Sequence, residues 1–439
     1  MKLFDFSLRF NGYKISQARK FLSNIQRIKS GNFEDYVFTR RKKIVDYHLK
    51  NNSFYSSLAK NVEIDNWNSV PIITKRDLQQ PIEQRLSKGF SKANVYINKT
   101  SGSSGDPFIF AKDKESHALT WALIMDRFSW YNIDFNSSLQ ARFFGIPLDK
   151  KGYYKERLKD WFSNRYRFSI FDLSDAAFDN VLKKFQNTSF DYINGYTSPI
   201  VQFAKFLERK KINLKTVCPS LKVCFVTSEM LFENDKKLME TVIGIPVINE
   251  YGASELDLIA FQNMNNEFQL NSESLYIEII NNKDEVLPNG EEGRIVITSL
   301  YNKAHPFIRY DIGDIGVISE DSTFKKPILK KLVGRTNDIA ILPSGKKAAG
   351  LTFYYITKSI IENDGNVKEF IIEQTELSEF KVSYVSYNEL SGLKKDIIRK
   401  EMINYLEQGI DITFERCEKL NRSKSGKLKQ FTSYIKPDK

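Results

Sequence analysis

The chain has 439 residues, 41% of them hydrophobic and 27% charged, with 33 Phe and 21 Tyr; this supports two or three folded domains and excludes a disordered protein, which is poor in aromatics. Its net charge of +12 favours anionic partners such as a nucleotide, an acidic glycan, nucleic acid or the inner membrane surface. Three cysteines, Cys218, Cys224 and Cys417, form no C-x-x-C pair and support neither a disulfide framework nor a structural zinc site.

The N-terminus MKLFDFSLRFNGYKISQ is broken by Asp5, Arg9 and Asn11, so it lacks the apolar core of a signal peptide, and no run of about 18 apolar residues follows. A cytoplasmic protein without a transmembrane segment is expected. Residues 1–95 read as mostly helical, with apolar positions at helical spacing in FLSNIQRIKSGNFEDYVFTRRKKIVDYHLK. The RRKK run, Arg40 to Lys43, reads as a solvated helix face.

From 140 to 250, short apolar runs alternate with amphipathic stretches: FDYINGY, SPIVQFAKFLERKK, LKVCFVTSE, FENDKKLMETVIG and IPVINEYG. Strand, helix, strand, helix, strand is the natural order, and it implies βαβ units feeding a parallel sheet with covered faces. Ligands of such sheets gather at the carboxyl ends of the strands. LYIEII and GRIVITSL flank the turn-rich NNKDEVLPNGEEG, which predicts an antiparallel pair in a small β-rich unit. After Gly334 the pattern is α+β: a helix in LTFYYITKSIIEN, strands in KEFIIEQ and FKVSYVSY, a helix in GLKKDIIRKEMINYLEQ and a last strand in DITFERCEKL. Leu393, Ile397, Met402 and Leu406 mark the expected inner face of that second helix.

The densest signal is TSGSSGDP, beginning at Thr100, with four Ser/Thr and two Gly in the six residues Thr100 to Gly105. Small hydroxyl residues and glycines let a backbone approach a ligand closely while N–H and O–H donors point inward, which suits a polyphosphate. A flexible linker has the same composition. The segment is not G-x-x-x-x-G-K-[ST], so an ordinary P-loop is not indicated.

Four further stretches decide between these readings: NEYGASE, PFIRYDIGDIG with VGRTND, and NRSKSGKLKQF, in this order after TSGSSGDP. Together they resemble the ordered motifs of the adenylate-forming superfamily of acyl-CoA synthetases and adenylation domains, over essentially the whole chain. DEVLPNGEEGRIVITSLYNKAHPFIRYDIGD further resembles the phenylacetate-CoA ligase-like group. INGYTSPI and LPSGKKAAG resemble its CapK-type branch, associated with capsular polysaccharide biosynthesis.

The resemblance implies an α/β fold: a large domain of βαβ subdomains with a small β-rich unit, residues 1–335, and a small mobile α+β lid, residues 336–439. It implies ATP and Mg²⁺ as cofactors, with coenzyme A as one candidate acceptor. Thr100, Ser101, Gly102, Ser103, Ser104 and Gly105 would hold the β and γ phosphates. Tyr251, Gly252 and Ser254 would flank the nucleotide. Glu255 would bind Mg²⁺, a hard cation that prefers oxygen ligands. Asp314 would accept both ribose hydroxyls and Arg335 would meet the ribose or phosphate. Lys427 would reach the α-phosphate and the substrate carboxylate, where its charge opposes the charge developing in the transition state. Gly195, Tyr196 and Ser198 fall where the family lines its acyl pocket, and Asn337 falls at its hinge.

Ser228 and Glu229 stand where the family more often has Gly-Gly-Glu or Gly-Ala-Glu at the adenine edge, and Asp311 and Ile312 replace the usual Arg and Thr. His117 and His305 lack a Ser or Cys partner in any motif, so they are expected to be structural. The expected partners are a small carboxylic acid and a thiol or amine acceptor, with no specific nucleic acid, because basic residues are not clustered with aromatics on one element. A non-catalytic scaffold of the same fold, working in polysaccharide assembly, is the competing class. The oligomeric state is left open.

Overall fold

Runs of three to seven residues rich in Phe, Tyr, Ile and Val form the main sheet, because side chains that branch at Cβ or carry rings pack well on a pleated surface covered on both sides. The computed structural model describes residues 3–100, 108–145, 150–170, 172–335, 339–349, 366–422 and 428–435. Its largest sheet has seven strands in the spatial order Phe268–Leu270, Asp257–Gln262, Val247–Ala253, Val223–Thr227, Tyr192–Tyr196, Gln140–Phe143, Arg165–Phe168. The last five in that order are mutually parallel, and the other two extend the sheet in antiparallel pairings.

The helices Asp175–Gln186, Thr197–Arg209 and Glu233–Ile243 cover one face of this sheet. Phe178, Phe185, Phe203 and Phe206 supply the contact, with ring centroids 5.5–6.2 Å apart. Fully burying each such ring contributes roughly 1.5–3 kcal/mol. The first helix starts on Ser174, whose hydroxyl accepts from Ala177 N at 3.3 Å, and the third stops at Gly244, whose φ of +76° a non-glycine residue adopts only under strain. The opposite face is covered by the helix Lys114–Ser129, where Phe128 packs on Phe225 and Phe261.

The expected βαβ alternation is therefore present from Tyr192 to Ala253. The antiparallel pair is present too, as Leu275–Ile280 against Glu292–Ser299, in a five-stranded sheet with Ile73–Thr74, Tyr310–Ile318 and Leu329–Arg335. A four-stranded sheet near the C-terminus orders Asp411–Arg416, Glu379–Ser386, Val367–Glu376 and Phe431–Ser433, and the helix Gly392–Tyr405 packs on it. The helix expected in LTFYYITKSIIEN lies outside the described residues. The protein has a mixed α/β architecture with a large N-terminal part and a small C-terminal one.

Two local expectations are corrected. The inner face of the Gly392–Tyr405 helix is Ile398, Met402 and, just beyond its end, Leu406; Leu393 and Ile397 are 75% and 43% exposed. The error is one of phase: Ile397 and Ile398 are both apolar, and the packing chooses the second. In the RRKK run, Lys42 and Lys43 are exposed, but Arg40 stacks 4.3 Å over Tyr301 and Arg41 4.0 Å over Trp67. A guanidinium on an aromatic face is attracted by the ring quadrupole, so half of the run packs on the body of the protein.

Candidate active site

The strands Tyr96–Lys99 and Ile109–Lys112 form a hairpin whose connection is the Ser/Gly segment. Its base is closed by Thr100 N donating to Phe108 O at 2.9 Å and Phe108 N donating to Thr100 Oγ1 at 3.0 Å. Residues 101–107 lie outside the described residues, and with them Ser101, Gly102, Ser103, Ser104 and Gly105. Thr100 lines a cavity of about 650 Å³. Thr227 and Ser228 at the carboxyl end of the Val223–Thr227 strand line it, with Gly252, Ser254 and Glu255, and Gln140, Arg165 and Tyr192 extend it along the sheet face to the start of the outer strands.

Gly252 sits where a Cβ would meet the carbonyl of Asp257 at 2.4 Å, so the close approach of the neighbouring antiparallel strand requires glycine there. Behind it, the Tyr251 hydroxyl donates to Asp314 Oδ2 at 2.5 Å, and both residues are buried. Asp314 pairs in register with Arg335 across adjacent strands. Glu255 is also buried, and the Tyr310 hydroxyl donates to its Oε1 at 3.1 Å. Thr100 and Glu255 thus share one cavity, which Gly252 and Gly313 also line, while the Tyr251–Asp314 pair lies buried next to those two glycines in the chain.

Glu255 is the carboxylate on which the fit of Mg²⁺ rests. Mg²⁺ keeps several waters and takes one or two protein carboxylates alongside substrate phosphates, so a single buried carboxylate at the cavity wall fits such an ion. No group of three His, Cys, Asp or Glu residues that could cage a metal occurs among the described residues.

Other expected positions sit away from the cavity. Gly195 and Tyr196 are core residues: a Cβ on Gly195 would meet Phe143 Cβ and O at 2.5 Å, and the Tyr196 ring packs 4.6 Å from Phe144. Ser198 opens the helix Thr197–Arg209, and its N donates to Glu229 Oε2 at 2.7 Å. Glu229 Oε1 in turn accepts from Leu428 N at 3.0 Å, joining the main sheet to the segment that follows Lys427. Burial raises the Glu229 pKa, against the hydrogen bonds from Ser198 and Leu428. Lys427 and Asn337 lie outside the described residues.

The departures from the family pattern have local explanations. Ser228 has φ of +70°, the left-handed region that favours the glycine more usual there. Asp311 accepts from Arg294 Nη1 at 2.6 Å and from Gly313 N at 2.8 Å, so it holds the bend before Asp314. The histidines are structural. His117 stacks on Tyr96 at 4.0 Å and accepts from Trp121 Nε1 at 3.2 Å, and burial lowers it to about 4. His305 is buried against Arg85, and burial drives its pKa well below the usual value.

Sequence reasoning did not single out Arg142, Asn194 or Glu250, which line the same cavity. Burial lowers Arg142 to about 9, helped by Arg165 and Arg167, and burial pushes Glu250 up to about 8 against the charge of Arg142 and a hydrogen bond from Thr227. For Arg142 and Asn194 a signal exists: QARF and YINGY carry polar residues inside strands of a sheet covered on both faces, where apolar runs are the norm.

No family model matches the chain. Protein CapK of Staphylococcus aureus is 23% identical over 417 residues, covering 90% of this chain and 88% of its own length. Phenylacetate-coenzyme A ligase of Aromatoleum evansii is 29% identical over 140 residues, 31% of this chain and 32% of that protein. Among solved structures, 2-hydroxyisobutyryl-CoA ligase in its postadenylation state, in complex with an acyl-AMP, superposes with a TM-score of 0.70 at 15% identity, covering 92% of this chain and 90% of that one. In sequence the chain resembles the CapK-type and phenylacetate-CoA ligase-like proteins of the adenylate-forming superfamily, and it shares the fold of an acyl-CoA ligase. Its adenylate-forming neighbours include a CoA ligase solved in the thioesterification state, with a TM-score of 0.58 at 14% identity and 92% and 90% coverage, and the amide bond synthetase McbA from Marinactinospora thermotolerans, with 0.54 at 14% and 76% and 68%. No helix among the described residues is long and apolar enough to cross a membrane.

Proposed function

We propose that the protein is an AMP-forming carboxylate ligase. The acid's carboxylate attacks the α-phosphorus of ATP, pyrophosphate leaves, and the acyl adenylate passes its acyl group to a thiol, on CoA or a carrier, or to an amine, releasing AMP. Activation is needed because a free carboxylate has only oxide as its leaving group. The observation that carries this reading is the convergence of Thr100, Ser228, Gly252, Ser254 and Glu255, each from one of the ordered motifs or the adenine-edge position, on one cavity.

In this reading Thr100 and the Ser/Gly segment after it bind the phosphates, and Asp314 with Arg335 orients the ribose. Glu255 would hold Mg²⁺, which neutralises phosphate charge when bound. Lys427 stabilises the charge on the reacting oxygens, and holding both reactants in line supplies the remaining rate gain. Residues 1–335 would form the ATP- and acid-binding domain and 336–439 the lid, pivoting near Asn337. A role in surface polysaccharide assembly is supported by the likeness to CapK.

The test is carboxylate-dependent exchange of labelled pyrophosphate into ATP, with AMP as the nucleotide product. Release of ADP in place of AMP would refute the reading, because ADP belongs to acyl-phosphate chemistry.

A further inference from the structure

We propose that the acid activated here is a polar one, carrying a hydroxyl or second carboxylate away from its reacting carboxylate, and that Arg142, Asn194, Thr227 and Glu250 receive that group. The inference rests on the adenylation reading above and names its substrate class.

The place is set by topology. From the Gln140–Phe143 strand the chain moves outward to Arg165–Phe168, then returns to the other side with Tyr192–Tyr196. The strand order therefore reverses between Gln140–Phe143 and Tyr192–Tyr196, and open α/β sheets bind ligands at such a switch point. Arg142 and Asn194 are register partners across it. One step along, Thr227 and Glu250 are partners in the same sheet. All four line the cavity that Glu255 and Thr100 share.

The chemistry suits an oxygen-bearing group. Arg142 Nε and Glu250 Oε1 are enclosed yet have no hydrogen-bond partner among the described residues. On the neighbouring strand, Arg165 and Arg167 are both engaged by Asp160, at 2.6 and 2.9 Å. Arg142 instead lies 3.9 Å over the Phe144 ring, forms no close ion pair among the described residues, and feels the carboxylates of Asp160 and Glu250 only at longer range. Asn194 is already oriented, its Oδ1 accepting from Gln140 Nε2 at 3.1 Å. Buried donors and acceptors left unsatisfied are costly, so an apolar acid placed against them would leave that cost standing, whereas an oxygen-bearing group removes it. With its pKa near 8, Glu250 is mostly protonated at neutral pH and both donates and accepts, while Arg142 remains a cation. The facing helix offers Trp121 and Phe128 to the body of the acid.

The experiment compares shape-matched acids on the full-length wild type, Arg142→Met and Thr227→Val, by pyrophosphate exchange and by calorimetric binding of each acid. Adipate against hexanoate probes a second carboxylate, and glucuronate against cyclohexanecarboxylate probes hydroxyls. The expected result is a preference of tenfold or more for the oxygen-bearing member of at least one pair. Arg142→Met should lose it through a 10- to 100-fold rise in KM or Kd for that member alone, and Thr227→Val should weaken it with little change in fold. Equal or better use of the apolar members, or a preference that survives in Arg142→Met, overturns the inference. If no acid supports exchange, the adenylation reading fails while calorimetry still decides: an Arg142-dependent preference upholds the polar site, and its absence overturns it.

Discussion

Glu250→Gln isolates one buried ionisation with almost no change in shape. Burial pushes this carboxyl from the ordinary 4.5 up to about 8. Between those values the unfolded chain has lost the proton and the folded chain keeps it, so the folded state binds more protons and stability falls as pH rises. Each pH unit in that window is worth about 1.4 kcal/mol. The full window gives an upper bound of about 5 kcal/mol, and water in the cavity reduces it to roughly 2–4 kcal/mol. Below pH 4.5 both states are protonated and the two proteins should match closely. The glutamine variant should therefore gain on wild type progressively from about pH 5 to 8, as read by urea unfolding at half-unit intervals. The lowered histidines titrate in both proteins and cancel in the difference. A difference curve that is flat across this range would refute the argument that Glu250 is held neutral by the fold.

Tyr251→Phe removes the donor to Asp314, a hydrogen bond to a charged group worth about 1.5–3 kcal/mol, and should raise the KM for ATP about 10- to 100-fold; an unchanged KM would separate Asp314 from the nucleotide. Gly195→Ala forces a Cβ against Phe143 and should destabilise by about 1–3 kcal/mol in thermal unfolding while leaving the ranking of acids unchanged, since Gly195 packs the sheet and does not line the cavity. Lys427→Ala should abolish pyrophosphate exchange with an unchanged circular dichroism spectrum; retained exchange would remove Lys427 from the reaction.

The strand–helix alternation from Tyr192 to Ala253 is legible in the sequence because each element carries its own period, and motif order singles out Thr100 and Glu255, which share one cavity wall in the structure. The strands Gln140–Phe143 and Arg165–Phe168 are harder to see. They are four residues long and interrupt their apolar pattern with Gln and Arg; of those interruptions Gln140, Arg142 and Arg165 line the cavity, while Arg167 is held by Glu156 and Asp160. INGYTSPI misleads for a related reason: in a strand successive residues face opposite sides, so Asn194 meets the cavity while Gly195 meets Phe143. The roles of Arg40 and Arg41 depend on Trp67 and Tyr301, which the chain brings near only on folding.

The unsatisfied atoms of Arg142 and Glu250 make the fold a detector for its own substrate. Anything that binds the native state and not the unfolded chain stabilises it by mass action, by about 2.7 kcal/mol at a hundred times its Kd. An acid whose oxygens meet Arg142 Nε and Glu250 Oε1 should show this readily, because those two atoms have no hydrogen-bond partner among the described residues. Melting temperature across a collection of acids therefore ranks candidates without a coupled assay or a labelled nucleotide, and whichever acyl acceptor completes the reaction.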